Sequence, residues 1–361
     1  MNQRRENMEQ LIGIGLLILL LAFFTLFTYY APHGDKAMGA LAAAAIATFL
    51  VEALQSFVIG DIFSLGFFQE AGTEAGLLSG VIVAFLVALT MGVNPLNSAI
   101  IAVSCGGIGL IPSFFAAYII SFGVKYLEKK IPNGLDFIIV VLAIVPLTRL
   151  IGVVLTPMVD ASLLKIGSII EVATETSPII MGLMLGGIIT VVGTSPLSSM
   201  ALTALLGLTG VPMAVGSLAA FGSAFINSTL FHKLKIGNAK SVLSVAIEPL
   251  SKADVISANP LPIYITNFIG GGLSGVIIAY SGLVNNAPGT ATPTAGLLVL
   301  FGYNPAMQVL LYAVIVAVVS GMVGLAGAYF FRNFPVYNSD FAKVADEMEE
   351  ESDKFKKTAD I

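Results

Sequence analysis

The stretch AIEPLSKADVISANPLPIYI, residues 246–265, sets Glu248, Lys252, Asp254 and Asn259 between long apolar runs and is broken by Pro249, Pro260 and Pro262. Carboxylates accept hydrogen bonds from hydroxyls, and side-chain amides both accept and donate. A residue that precedes proline avoids the helical region, so this segment should open its apolar run with extended backbone. Extended backbone leaves amides and carbonyls free to face a ligand. The chemistry suits a small hydroxyl-rich or charged solute.

Other polar groups stand in similarly apolar surroundings. Asn267 follows in the same run, and Thr194 and Ser195 interrupt ITVVGTSPLSSM. Glu52 lies in FLVEALQSF with Gln55 one helical turn on. Glu171 and Glu175, in EVATETSP, are four residues apart and share a face if helical. Arg149, in VPLTRLIGVV, needs a carboxylate such as Glu171 or Glu175, or a bound anion, because an unpaired buried charge is costly. Ionisable groups inside spans are rare and mark function by default. His232, flanked by Lys233 and Lys235, reads as a loop residue, with a phosphoryl-receiving loop as the sharper alternative. The single Cys105 gives neither a disulfide nor a metal cluster. With no metal-ligand spacing, phosphate-cradling loop or nucleophile triad, no cofactor, metal or nucleic-acid partner is expected.

The elements that must hold these groups are helices in a membrane. Hydrophobic residues make up 57% of the 361 and charged residues 11%, against about 25% charged in soluble domains. The mean hydropathy is +0.93. The expected fold is all-α and polytopic, with about eight to ten transmembrane helices plus re-entrant hairpins or broken helices. Spans are read at 11–30, 38–58, 75–92, 97–121, 136–157, 178–193, 197–208, 211–228, 256–281 and 305–331. The first is too long for a signal peptide. Segments 63–76, 188–208 and 285–305 are too interrupted to cross alone and read as re-entrant. Arg4, Arg5, Lys125, Lys129, Lys130, Lys233, Lys235, Lys240, Lys252 and Arg332 fall on one side if the spans alternate. By the positive-inside rule, both termini are then expected to be cytoplasmic.

The run AIEPLSKADVISANPLPIYITNFIGGGLSGVI, continued by VNNAPGTATPTAGLLVLFGY, resembles the membrane subunit IIC (EIIC) family of the bacterial phosphotransferase system. The nearest branch includes perfringolysin-regulator-type proteins. Asn259-Pro260 with Pro262, the segment Pro288-Gly289-Thr290-Ala291, and GTSPLSSMAL (193–202) carry most of the resemblance. It implies an EIIC-like transmembrane domain at 37–331, preceded by a first span at 1–36 and followed by an acidic cytoplasmic tail at 332–361. It further implies a homodimeric sugar permease of the bacterial plasma membrane. A separate IIB subunit would phosphorylate the bound sugar, so the chain alone is not expected to be an enzyme. Expected solute contacts are Glu248, Asp254, Asn259 and Asn267, with Thr194, Ser195, and Glu52 or Glu171 as partners. Two other functions fit the residues. One is a membrane sensor that moves nothing, and the other is an ion-coupled carrier of an organic anion read by Arg149.

Overall fold

Long apolar runs, which close their backbone hydrogen bonds internally when helical, become helices throughout the computed structural model. It describes residues 2–131, 136–174 and 177–337; side chains before Ile12, at Asp136 and at 168–174 lie outside that description. Among the described residues, seven helices are long and apolar enough to cross a membrane, and the count reaches eight if a pair bent by 48° is taken as one span.

Helix α1 (Asn2–Tyr30) leads through a short turn to α2 (Gly34–Ala45), which continues through π-helical stretches to Asp61. The bent pair is α3 (Gly66–Leu77) and α4 (Ser79–Thr90). A single span expected at 97–121 is two helices, α5 (Pro95–Ser104) and α6 (Leu110–Lys130). The break falls at Cys105–Gly109, where Gly107 takes a left-handed φ of 72° that a side chain would resist. Next, α7 (Asp136–Ile139) passes through a π-helical turn into α8 (Val145–Thr174). Pro157, read as the end of that span, sits inside α8 instead. Neighbouring helices tolerate such a proline in a membrane protein.

Helix α9 (Pro178–Thr194) stops at Ser195-Pro196, and the seven-residue α10 (Ser199–Leu205) follows, too short to cross. Helix α11 (Gly210–Leu234) is a full crossing. The chain then turns inward through α12 (Ala239–Ile247), a 3-10 turn at Pro249–Lys252 and α13 (Ala253–Ala258), before α14 (Pro260–Ala279) crosses. An irregular stretch leads to α15 (Pro293–Tyr303), and α16 (Ala306–Phe330) is the last crossing.

The core is set by close backbone approach between α9 and α14. A Cβ on Gly275 would overlap the Gly182 carbonyl, and one on Gly186 would overlap that of Gly271. Two small-xxx-small pairs therefore face each other, the arrangement that lets membrane helices touch without a hydrophobic driving force. The Thr190 hydroxyl crosses the seam to the Asn267 carbonyl at 2.8 Å.

Contacts also fix direction. Tyr29, at the end of α1, donates to the Ala258 carbonyl at 2.6 Å, and its ring lies 5.0 Å from that of Tyr337, beyond α16. Tyr118 of α6 donates to the Pro32 carbonyl at 2.8 Å. The ends of α1, α11 and α16 thus gather at the start of α14. Helix α6 runs parallel to α1 and ends on the same side, so Lys129, Lys130, Lys233, Lys235 and Arg332 share one face. The N-terminal end of α1 points to the opposite face, away from that basic side. Arg4 and Arg5 precede the described side chains.

Candidate functional site

Glu248 ends α12 and begins the inward turn, with an extended backbone at φ −151° and ψ 105°. The same residue caps the following turn, its Oε1 accepting from the Leu250 amide at 3.3 Å. Pro249 occupies the first position of that turn, where a missing N–H costs nothing. The sequence thus folds locally so that one carboxylate oxygen is used and the other is not.

From the other side, the stretch after α14 is anchored where Asn285 donates to Ser217 Oγ at 2.7 Å and to Thr290 Oγ1 at 2.9 Å. It rises through Pro288-Gly289 to Thr292, the residue before α15. The Thr294 hydroxyl donates to the Ile247 carbonyl at 3.2 Å, so the tips of the two re-entrant segments touch. The Thr292 hydroxyl faces the Glu248 carboxylate, yet no hydrogen bond of good geometry closes between them. Glu248 is 4% exposed, and both its Oε2 and Thr292 Oγ1 are buried without a partner. Residue 248 belongs to no span, and burial pushes its carboxyl up to about 7, against the lowering influence of Thr292 and the Leu250 amide. A buried acceptor and a buried hydroxyl left open together are costly unless something completes them.

The helix break after α9 joins the same place. Ser199 donates to the Ala291 carbonyl at 2.6 Å, one residue before Thr292. Beside it, Ala53, Met200 and Ala295 form a small apolar cluster separate from the main core, with Phe49, Leu54 and Val58 packed on it.

The remaining expected contacts divide. Asp254 is buried in the first turn of α13, six residues from Glu248. Glu52 is half-buried one residue before Ala53, and a Cβ on Gly76 would overlap its carboxylate. Glu171 lies on α8, but its side chain, like all of Glu175, is outside the described residues. Asn259 has its amide occupied: Nδ2 donates to the carbonyls of Val255 at 2.8 Å and Tyr337 at 2.7 Å, and Oδ1 accepts from the Tyr337 amide at 2.9 Å. Asn267 donates to Asn227 Oδ1 at 2.7 Å and to the Ile263 carbonyl at 2.9 Å, between α11 and α14. Thr194 donates to the carbonyls of Thr190 and Val191, and Ser195 donates to Val192 and accepts from Leu197. The structure therefore brings Glu248 and Thr292 together and ties Asn259, Thr194 and Ser195 into the frame, while Asn267, bonded through Nδ2, keeps a buried Oδ1 without a partner.

Two charged residues take unexpected places. Arg149 donates to the Ser104 and Gly106 carbonyls, closing the C-terminal end of α5, where a cation is favoured. His232 is exposed in the last turn of α11, beside Lys233. Sequence reasoning singled out neither Thr292 nor Ser199, because hydroxyls in Pro- and Gly-rich stretches are common. The nearest signal was the TATPTAG pattern, with threonines on either side of a proline that starts a helix.

A polytopic helical bundle whose re-entrant segments meet tip to tip, with an open carboxylate at the meeting point, defines a membrane transport component. The model of the family described as phosphotransferase system, EIIC, matches residues 35–344, and the chain belongs to that family. It is thus a membrane component of a sugar-type phosphotransferase permease and a protein of the bacterial plasma membrane. Helix α1 lies wholly before the matched region. No curated protein and no solved structure matches the chain.

Proposed function

We propose that the protein binds a hydroxyl-rich solute, a sugar in the simplest case, at Glu248 beside Thr292 and passes it across the membrane by alternating access. The observation that carries this reading is the pair of open polar atoms, Glu248 Oε2 and Thr292 Oγ1, buried where two re-entrant segments meet. A sugar hydroxyl can donate to the carboxylate while another accepts from the threonine. Asp254, buried six residues on, and Glu52, half-buried beside the Ala53 cluster, are further candidate contacts.

Transporters commonly build midplane sites from discontinuous segments and move one rigid body against another. Here the α9–α14 seam is the natural rigid body, and the segments bearing Glu248 and Thr292 are the parts that exchange sides. The basic face is cytoplasmic on the positive-inside rule, which puts Tyr337 inside and the start of α1 outside. That placement of α1 departs from the expectation that both ends are inside. Family membership favours a homodimer and a separate IIB subunit that meets the basic face and phosphorylates the solute.

The test is a thermal-shift panel of hexoses, hexitols, disaccharides and organic acids on the purified protein, followed by vesicle uptake of the best ligand. A sugar should raise the melting temperature by mass action, and Glu248→Gln should remove the rise. An unchanged rise in Glu248→Gln takes that residue out of the site. A sugar-induced rise without uptake, with or without phosphotransferase partners, favours a sensor over a permease.

A further inference from the structure

A cavity of about 170 Å³ lies beside α8, with a largely apolar wall in which Asp160, Ser79 and Ser198 are the polar side chains. Asp160 sits inside the span Phe137–Gly167, seven residues before its end. It makes no hydrogen bond or ion pair among the described residues. A carboxylate in an apolar span is expensive to keep and is retained where it does something. Ser79 is 6% exposed and lines the cavity. An exposed carboxylate and a largely buried serine thus share one small space.

This cavity and the Glu248 junction are joined through one turn of chain. Ser198, on the cavity wall, takes a left-handed φ of 61° as the residue before α10. Such a conformation is strained for a serine and persists only where its surroundings over-determine it. The next residue, Ser199, holds the Ala291 carbonyl, and Thr292 follows against Glu248. Phe49 lines the cavity and also packs on the Ala53, Met200 and Ala295 cluster. A strained turn and a few apolar side chains therefore separate the two spaces. The cavity lies toward the face opposite the lysines: Gly167, on the same helix, abuts Leu206, four residues before the Gly210 that pairs with Asn285.

We propose that this cavity is the outer chamber of the solute path, in which Asp160 takes the first hydroxyls of a polyol before it passes the Ser198–Met200 turn to reach Glu248. This rests on the permease reading above. Asp160 acts as a binding group that sets apparent affinity, and the strained turn is the partition that moves.

The lone native thiol, Cys105, is buried, so Cys105→Ser with Ala201→Cys gives one reporter on the cavity wall. Membrane-impermeant thiol reagents, one cationic and one anionic, are added to intact cells. The cationic reagent should modify residue 201 from outside about tenfold faster, and adding Asp160→Asn should erase the preference. In vesicles, Asp160→Asn should raise the half-saturation for the sugar found by thermal shift at least fivefold with little change in maximal rate. A thiol at 201 that is unreactive from outside, or an unchanged half-saturation in Asp160→Asn, overturns the proposal. Either result can stand while Glu248→Gln still abolishes the thermal shift, so failure of the outer chamber is distinguishable from failure of the Glu248 site. Asp160 is exposed, and equal melting temperatures for Asp160→Asn and the parent verify that folding is untouched.

Discussion

The α9–α14 seam and the Glu248–Thr292 junction lie in one bundle and are built on opposite terms. At the seam, glycines remove side chains so that two backbones touch, and Thr190 closes its hydroxyl onto Gly186 and Asn267. At the junction, helices stop short, backbones are irregular, and a carboxylate oxygen and a hydroxyl are buried with nothing to bind. Close packing gives the first region stability and one geometry. The second is left incomplete in a way that a bound hydroxyl compound would repair. The difference teaches where to look for motion and where for rigidity.

The sharpest way to break the comparison is at the carboxylate. Glu248→Ala should lower sugar uptake by about one to two orders of magnitude and abolish ligand-induced stabilisation, because a hydrogen bond to a charged group contributes about 1.5–3 kcal/mol. Retained uptake would place the solute elsewhere. At the seam, Gly275→Leu should instead lower stability by about 1–3 kcal/mol through overpacking, read as a fall in the detergent melting temperature. A neutral Gly275→Leu would mean that the two helices are not in backbone contact.

Smaller effects follow from the partners. Thr292→Val should weaken sugar binding roughly tenfold, the loss of about 1.4 kcal/mol expected for one hydrogen bond, with the melting temperature of the unliganded protein unchanged or raised. Raised stability is the sign of an unsatisfied hydroxyl removed, and lowered stability would show that Thr292 already has a partner. The least effect is on pH dependence. The folded chain holds the Glu248 proton to about 7, against 4.5 for an ordinary glutamate. Folding therefore takes up a proton between these values, and stability from this group falls as pH rises from about 4.5 to 7. Melting temperatures across that range should slope less in Glu248→Gln than in the parent, and parallel curves would show that Glu248 titrates normally.

Much of this was legible in the chain itself. The apolar runs were long enough to mark the crossings, and Glu248 before Pro249 is extended, as a residue preceding proline tends to be. Pro260 and Pro262, expected to leave extended backbone, instead begin helix α14, because proline also suits the first turn of a helix. Segments 188–208 and 285–305 stood out as interrupted, and both are broken in the structure around Ser195–Ser198 and Thr292. The sites of breakage were harder where no proline marked them. The divide between α5 and α6 depends on Gly107 adopting a left-handed backbone, which glycine permits without requiring it. Pro157 misled in the other direction, because a proline signals a helix end only when neighbours do not support the bent helix. Asp160 was consequently placed beyond its span, and its cavity could not be foreseen.

Side-chain roles divided along the same line. Asn259 and Asn267 have the chemistry of ligand-binding amides, and nothing local distinguishes them from Glu248. Whether an amide faces a solute or another strand of its own chain depends on partners far away in sequence. Tyr337, 78 residues on, occupies Asn259, and Asn227, 40 residues back, occupies Asn267.

By itself the sequence determined that the chain is a helical membrane protein and that certain segments cannot cross. Those conclusions rest on transfer of side chains and backbone into lipid, which each segment undergoes on its own account. Only the tertiary structure decided that Glu248 meets Thr292 and that Arg149 closes a helix end. It also decided that the end of α1 lies beside the end of α16. These depend on which interrupted segment packs against which, and a hydrogen bond between residues so far apart in sequence leaves no trace in either neighbourhood.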